Sequence, residues 1–193
     1  MFSYPRDYNR LLSLIGQHLG RVDISLNAFC LMTNHVHLLL TPGTKAALGE
    51  FIKRVAQRYA QIRNRRLRAS GKLFEERYYS KPIASVQHLA LATVYIDLNP
   101  VRAGMLGSGS GDDYRWSTFG IHAGSAKPQP FVDMWTPTSW YVDLAVNPLE
   151  RASAYREFAE ERLALDEWEG VRSDPPAPSG PPVRRPNRTR AAG

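Results

Sequence analysis

Two spacings of apolar residues run through the chain, and the change from one to the other marks out its elements. Tyr8, Leu11, Leu12, Ile15 and Leu19 recur at helical intervals, which predicts a helix over 6–20 closed by Gly20. Ile24, Leu26, Ala28 and Cys30 then alternate with their neighbours as a first strand. Thr33-Asn34 reads as a tight turn into a second strand over 35–40, ended by Thr41-Pro42-Gly43. On that strand Val36, Leu38 and Leu40 share one side and His35 and His37 the other, so the apolar side is expected to meet a helix layer and the histidines to face a site. The clearest helix spans 45–68, where Leu48, Ile52, Val55, Tyr59 and Ile62 step by 4, 3, 4 and 3. Residues 74–83 read as a strand or extended segment ended by Pro82. A helix over 85–98 follows, with Ser85 as its N-cap and Pro100 marking its end. Residues 107–111, Gly-Ser-Gly-Ser-Gly, form a flexible link, and 148–168 an amphipathic helix.

Composition adds a direction to this pattern. The 193 residues are expected to form one domain over 1–170, followed by a basic, proline-rich and disordered tail over 171–193. A formal charge of +7 and a pI near 9.8 point to a polyanionic partner. Between Glu50 and Glu75 lie Lys53, Arg54, Arg58, Arg63, Arg65, Arg66, Arg68 and Lys72 with no carboxylate among them, a nucleic-acid-facing run on the back of the second helix. The single cysteine, Cys30, sits in an apolar run as a buried thiol and excludes an internal disulfide framework. The N-terminus has no secretory core and no apolar stretch approaches the ~18 residues of a membrane span, so the expected location is cytoplasmic.

Candidate chemistry gathers in two short segments. Asn34-His35-Val36-His37 places two imidazoles at i and i+2 of a strand, on one face and roughly 7 Å apart at the α-carbons, which suits two ligands of one metal ion. Tyr95 and Asn99, at i and i+4 of a helix, share a face one turn apart. Each residue also has a plain reading: histidines lining a sheet, a core aromatic on the stripe Leu91, Tyr95, Leu98, and a helix-end amide before proline. The combination with a basic helix in one small domain favours a metal, an amide and a phenol converging on a phosphate. His18, His88 and His122 have no partners at ligand spacing and read as surface or packing residues. The glycine-rich stretch lacks the Gly-Lys-Ser/Thr of a phosphate loop, and Glu75-Glu76 and Glu160-Glu161 read as solvated faces.

AFCLMTNHVHLLLTP, YIDLNPVRAGM and YRWSTF, in this order and spacing, resemble the REP-associated tyrosine transposases of the HUH single-tyrosine superfamily, over about residues 9–160. The segment between the first two is similar to the one that joins them in that family. The resemblance implies a ferredoxin-like α/β (α+β) fold, an antiparallel sheet packed with helices and holding the HUH strand. It implies His35, His37 and Asn99 as ligands of Mg²⁺ or Mn²⁺, and Tyr95 as the nucleophile of a DNA strand transfer through a 5′-phosphotyrosine. Single-stranded or hairpin DNA with REP-like palindromes, in the nucleoid, is the implied partner of a monomer or homodimer. Members usually begin with a strand ending in arginine, and MFSYPR is too short and proline-broken for it, so the HUH strand is expected to lack that neighbour. Asp97 stands where the family often has histidine, and from its helical face no direct part in chemistry is expected. A module that grips DNA hairpins without cutting, and an RNA-binding ferredoxin-like protein, are the rival readings.

Overall fold

The computed structural model describes residues 1–74, 77–107, 109–127, 131–166, 168 and 171. All but Val171 of the expected tail, and the Glu75-Glu76 pair, lie outside them, as does Ser108 of the glycine-rich link. The elements run α1 (Pro5–Leu19), β1 (Ile24–Leu31), β2 (Val36–Pro42), α2 (Lys45–Leu67), α3 (Val86–Arg102), α4 (Phe119–His122), α5 (Ser139–Asp143) and α6 (Pro148–Leu165). This is a mixed α/β fold. Among the described residues no helix is long and apolar enough to cross a membrane.

Local chemistry explains the element ends. Pro5 sits in the first turn of α1, where a missing N–H costs nothing. The Asp7 carboxylate accepts from the Ser3 and Tyr4 backbone N–H groups ahead of that helix. Thr44 Oγ1 caps α2 by accepting from Ala47 N at 3.1 Å, and Ser85 Oγ caps α3 by accepting from His88 N at 3.1 Å. Pro100 does not end α3. It lies inside the last turn, at the cost of the N–H bond to Ile96 O, and the stop is set by Gly104 at φ +65°. There Met105 N donates to Pro100 O and Gly104 N to Val101 O, a pairing that needs a left-handed residue between helix and loop.

β1 and β2 form an antiparallel sheet with Leu26 opposite Leu40 and Ala28 opposite Leu39, so Asn27 is an extra residue on β1. That bulge reverses the alternation expected along β1. Ile24, Leu26, Phe29 and Leu31 join the core beneath α1 and α2, with Phe51, Val55 and Tyr59, while Ala28 and Cys30 turn to the other face. Asn27 is held by its own bonds, donating to Thr136 O at 2.9 Å and accepting from Thr41 Oγ1 at 2.6 Å. The outer edge of β1 is covered, since Leu31 N donates to Trp116 O and Thr118 N to Phe29 O.

Both faces of β2 meet helices. Val36, Leu38 and Leu40 pack toward the α1/α2 core as expected, whereas His37 and Leu39 are buried on the opposite side, Leu39 in a second core with α3 and α6. α3 is buried almost continuously from Ala92 to Pro100 because it lies between the sheet and the C-terminal helices. Residues 77–84 form no strand, and Tyr78 and Tyr79 are exposed there.

Candidate active site

The hairpin between β1 and β2 closes with Met32 N donating to His35 O, which puts His35 at the entry to β2 and His37 within it. The two imidazoles stand edge to face with ring centres 4.7 Å apart. His35 Nδ1 lies 2.7 Å from Asn34 Oδ1. An amide oxygen can only accept, so Nδ1 carries the proton and Nε2 keeps the lone pair that a cation would need.

α3 packs across this face of the sheet, and the Tyr95 ring meets His37 edge-on at 6.0 Å. Asn99 follows one turn later with its Nδ2 donating to Tyr95 O at 2.8 Å, which leaves Oδ1 as its acceptor atom. Two imidazoles and an amide oxygen make a donor set fit for a hard or borderline divalent ion. Among the described residues no three His, Cys, Asp or Glu side chains gather as an alternative metal centre.

Tyr95 is 1% exposed. Trp168 packs against its ring at 5.6 Å, and the Arg102 guanidinium lies 4.7 Å from the Tyr95 ring centre and 4.9 Å from that of Trp168. The phenol at the heart of the site is therefore roofed by a tryptophan from beyond α6 and by a cation at the end of its own helix.

Asp97, on the opposite side of α3, is fully buried and holds the helix in place. It accepts from Thr118 Oγ1 at 2.5 Å and Tyr155 OH at 2.6 Å, and pairs with His122 Nδ1 at 2.7 Å. His122 is a buried packing residue, stacked on Tyr155 at 4.9 Å and edge-on to Trp135 and Tyr141. Burial and the Asp97 charge push the Tyr155 phenol far above its ordinary value, so it stays a donor. One signal was available in the sequence: a lone carboxylate in the apolar run from Val94 to Leu98 needs a buried partner. Cys30, opposite His37 in the sheet, is buried as expected, and burial drives its thiol well upward.

The basic run does not form one uniform face. Lys53, Arg58, Arg65, Arg68 and Lys72 are exposed. Arg54 pairs with Glu50 one turn away. Arg63 Nε donates to Met1 O at 3.2 Å, and Arg66 pairs with the buried Asp7, so these two also tie α2 to the N-terminal segment.

A family model described as "Transposase IS200 like" matches residues 2–99, a span that holds His35, His37, Tyr95 and Asn99. No curated protein and no solved structure matches the chain.

Proposed function

As the chain belongs to the IS200-like transposase family, a family of DNA-processing enzymes, we propose that it cuts and rejoins single-stranded or hairpin DNA with Tyr95 as nucleophile. The observation that carries this reading is the contact of β2 with α3, which brings the His35/His37 pair beside the Tyr95 ring with Asn99 one turn away. The closeness of AFCLMTNHVHLLLTP and YIDLNPVRAGM to the REP-associated members favours that branch, and short palindromes as substrate.

His35, His37 and Asn99 would hold the cation, Mg²⁺ or Mn²⁺, which when bound draws charge from the scissile phosphate. Tyr95 Oη attacks phosphorus, the P–O3′ bond breaks, and the proton lost by the phenol ends on the departing 3′-oxygen. One ester replaces another, so the 5′-phosphotyrosine keeps the bond energy and the 3′-hydroxyl can reverse the step. Asn34 fixes the His35 tautomer, and Asp97 fixes the rotation of α3 and with it the aim of Tyr95 and Asn99. Lys53, Arg58, Arg65, Arg68 and Lys72 supply contacts to the DNA backbone.

Substitution of the histidines tests this assignment. His35→Ala and His37→Ala should each abolish cleavage of a labelled hairpin while binding stays within several-fold, and calorimetric titration with Mn²⁺ should show one site lost. Equal Mn²⁺ binding by the double variant would remove the metal assignment. Cleavage lost together with all hairpin binding would show that the histidines serve grip or fold.

A further inference from the structure

We propose that the cleft between α1 and α2, on the face of the sheet opposite Tyr95, is a phosphate-binding site built from Arg6, Arg10, Arg63, Arg66 and the Tyr59 hydroxyl. The cleft has a volume of about 430 Å³. Arg6 and Arg10 stand one turn apart on its α1 wall, and Arg63 and Arg66 at i and i+3 on its α2 wall. Like charges at these spacings oppose one another on a helix surface, so four guanidiniums around one cleft call for an anion. Asp7 is the carboxylate within reach, and both of its oxygens are already engaged. One of its oxygens accepts from the Ser3 and Tyr4 N–H groups and the other from Arg66. Arg63 uses only Nε on Met1 O, leaving the fork of its guanidinium to the cleft.

Tyr59 supplies an independent sign. Its side chain is 2% exposed and lines the cleft, and among the described residues its hydroxyl has no hydrogen-bond partner. A buried hydroxyl left without a bond is costly and rare. Burial, with Asp7 nearby, pushes this phenol far above its usual value, so it remains a proton donor. A phosphate oxygen, flanked by guanidiniums, is an acceptor that satisfies it.

The ligand chemistry is a phosphate group, which DNA or a free phosphate compound could bring. The proposal depends on the DNA reading for the first source only. His37 and Tyr95 lie on the other side of the sheet, so the cleft serves binding rather than bond breakage.

Inorganic phosphate and a hairpin oligonucleotide are the two probes, applied to the full chain, Arg6→Gln/Arg10→Gln and Tyr59→Phe, with Arg21→Gln/Arg115→Gln, two exposed cations outside the cleft, as a charge-matched control. Phosphate at ionic strength matched with chloride should raise the melting temperature of the full chain. The rise should vanish in Arg6→Gln/Arg10→Gln, shrink in Tyr59→Phe and persist in the control. If DNA is the source, Arg6→Gln/Arg10→Gln should also weaken hairpin binding about tenfold and flatten its salt slope by about 2. Loss of the phosphate response with unchanged hairpin binding would assign the cleft to a free phosphate compound. No phosphate response in the full chain, or the same loss in the control, overturns the site. Neither result bears on strand cleavage, so failure here is distinct from failure of the transposase reading.

Discussion

Asp97 links three side chains from α4, its preceding loop and α6 to the helix that carries Tyr95. Removing it would leave the Tyr155 hydroxyl and the His122 ring as buried polar groups without their acceptor, and the Thr118 hydroxyl with only Phe29 O at 3.3 Å. Asp97→Ala should therefore cost about 3 kcal/mol or more in urea denaturation, and Asp97→Asn, which keeps an acceptor oxygen, clearly less. Equal losses would mean that shape rather than hydrogen bonding holds α3. Asp7 gives a pH signature. Burial alone would raise its pKa, but the Arg66 guanidinium and the Ser3 and Tyr4 N–H groups outweigh that and hold it below the usual carboxylate range. A depressed folded value contributes stability above the unfolded pKa of about 3.9 and loses it as pH falls through the folded one. Asp7→Asn should thus be less stable than the native chain at pH 7, with the gap closing below about pH 4. A gap that persists at low pH would contradict the ion pair.

At the scale of elements, the roof over Tyr95 makes a kinetic prediction. Trp168→Ala removes a ring that covers the phenol, so the first-order rate of covalent adduct formation should rise, at the expense of melting temperature. An unchanged rate in a folded variant would show that the roof lifts readily. Much of the element layout was legible in the sequence, because long periodic segments carry their own signal. The stripe through Val55 and Tyr59, the Thr33-Asn34 turn and the Ser85 cap all stand where spacing and capping chemistry put them. The pairing of the histidines with Tyr95 was legible as motifs, and its geometry only from the contact between β2 and α3. Three features were not legible. The Asn27 bulge depends on partners more than 100 residues away, at Trp135 and Thr136. Pro100 reads as a helix stop, but the helix runs through it and ends at the left-handed Gly104. Residues 77–84, read as strand or extended, have no neighbouring strand to pair with among the described residues.

For the molecule as a whole, charge should govern association with DNA. Segment 45–81 carries Lys53, Arg58, Arg65, Arg68 and Lys72 exposed, and if these five meet phosphates the log–log salt slope on single strands should be near −3.5. Replacing Lys53, Arg58 and Arg65 with glutamine should flatten it by about 2, without the damage that losing Arg66 would do by orphaning Asp7. An unchanged slope would place the DNA elsewhere on the surface. Under the proposed function the two helix layers would divide the labour, with grip on α2 and chemistry on α3, and the sheet between them carries the histidines.

Whether Tyr95 makes the bond to DNA can be read from a denaturing gel. The native chain, Tyr95→Phe, Tyr78→Phe and Tyr79→Phe are each incubated with a labelled hairpin and Mn²⁺, after circular dichroism has shown that each is folded. Phenylalanine keeps the ring against His37, Trp168 and Arg102, so only the attacking oxygen is lost. A covalent protein–DNA band is expected in the native chain and in both exposed-tyrosine variants, and none in Tyr95→Phe. A band that survives in Tyr95→Phe and disappears with Tyr78 or Tyr79 would contradict the Tyr95 assignment, and no band in the native chain despite tight hairpin binding would make the protein a hairpin-binding module.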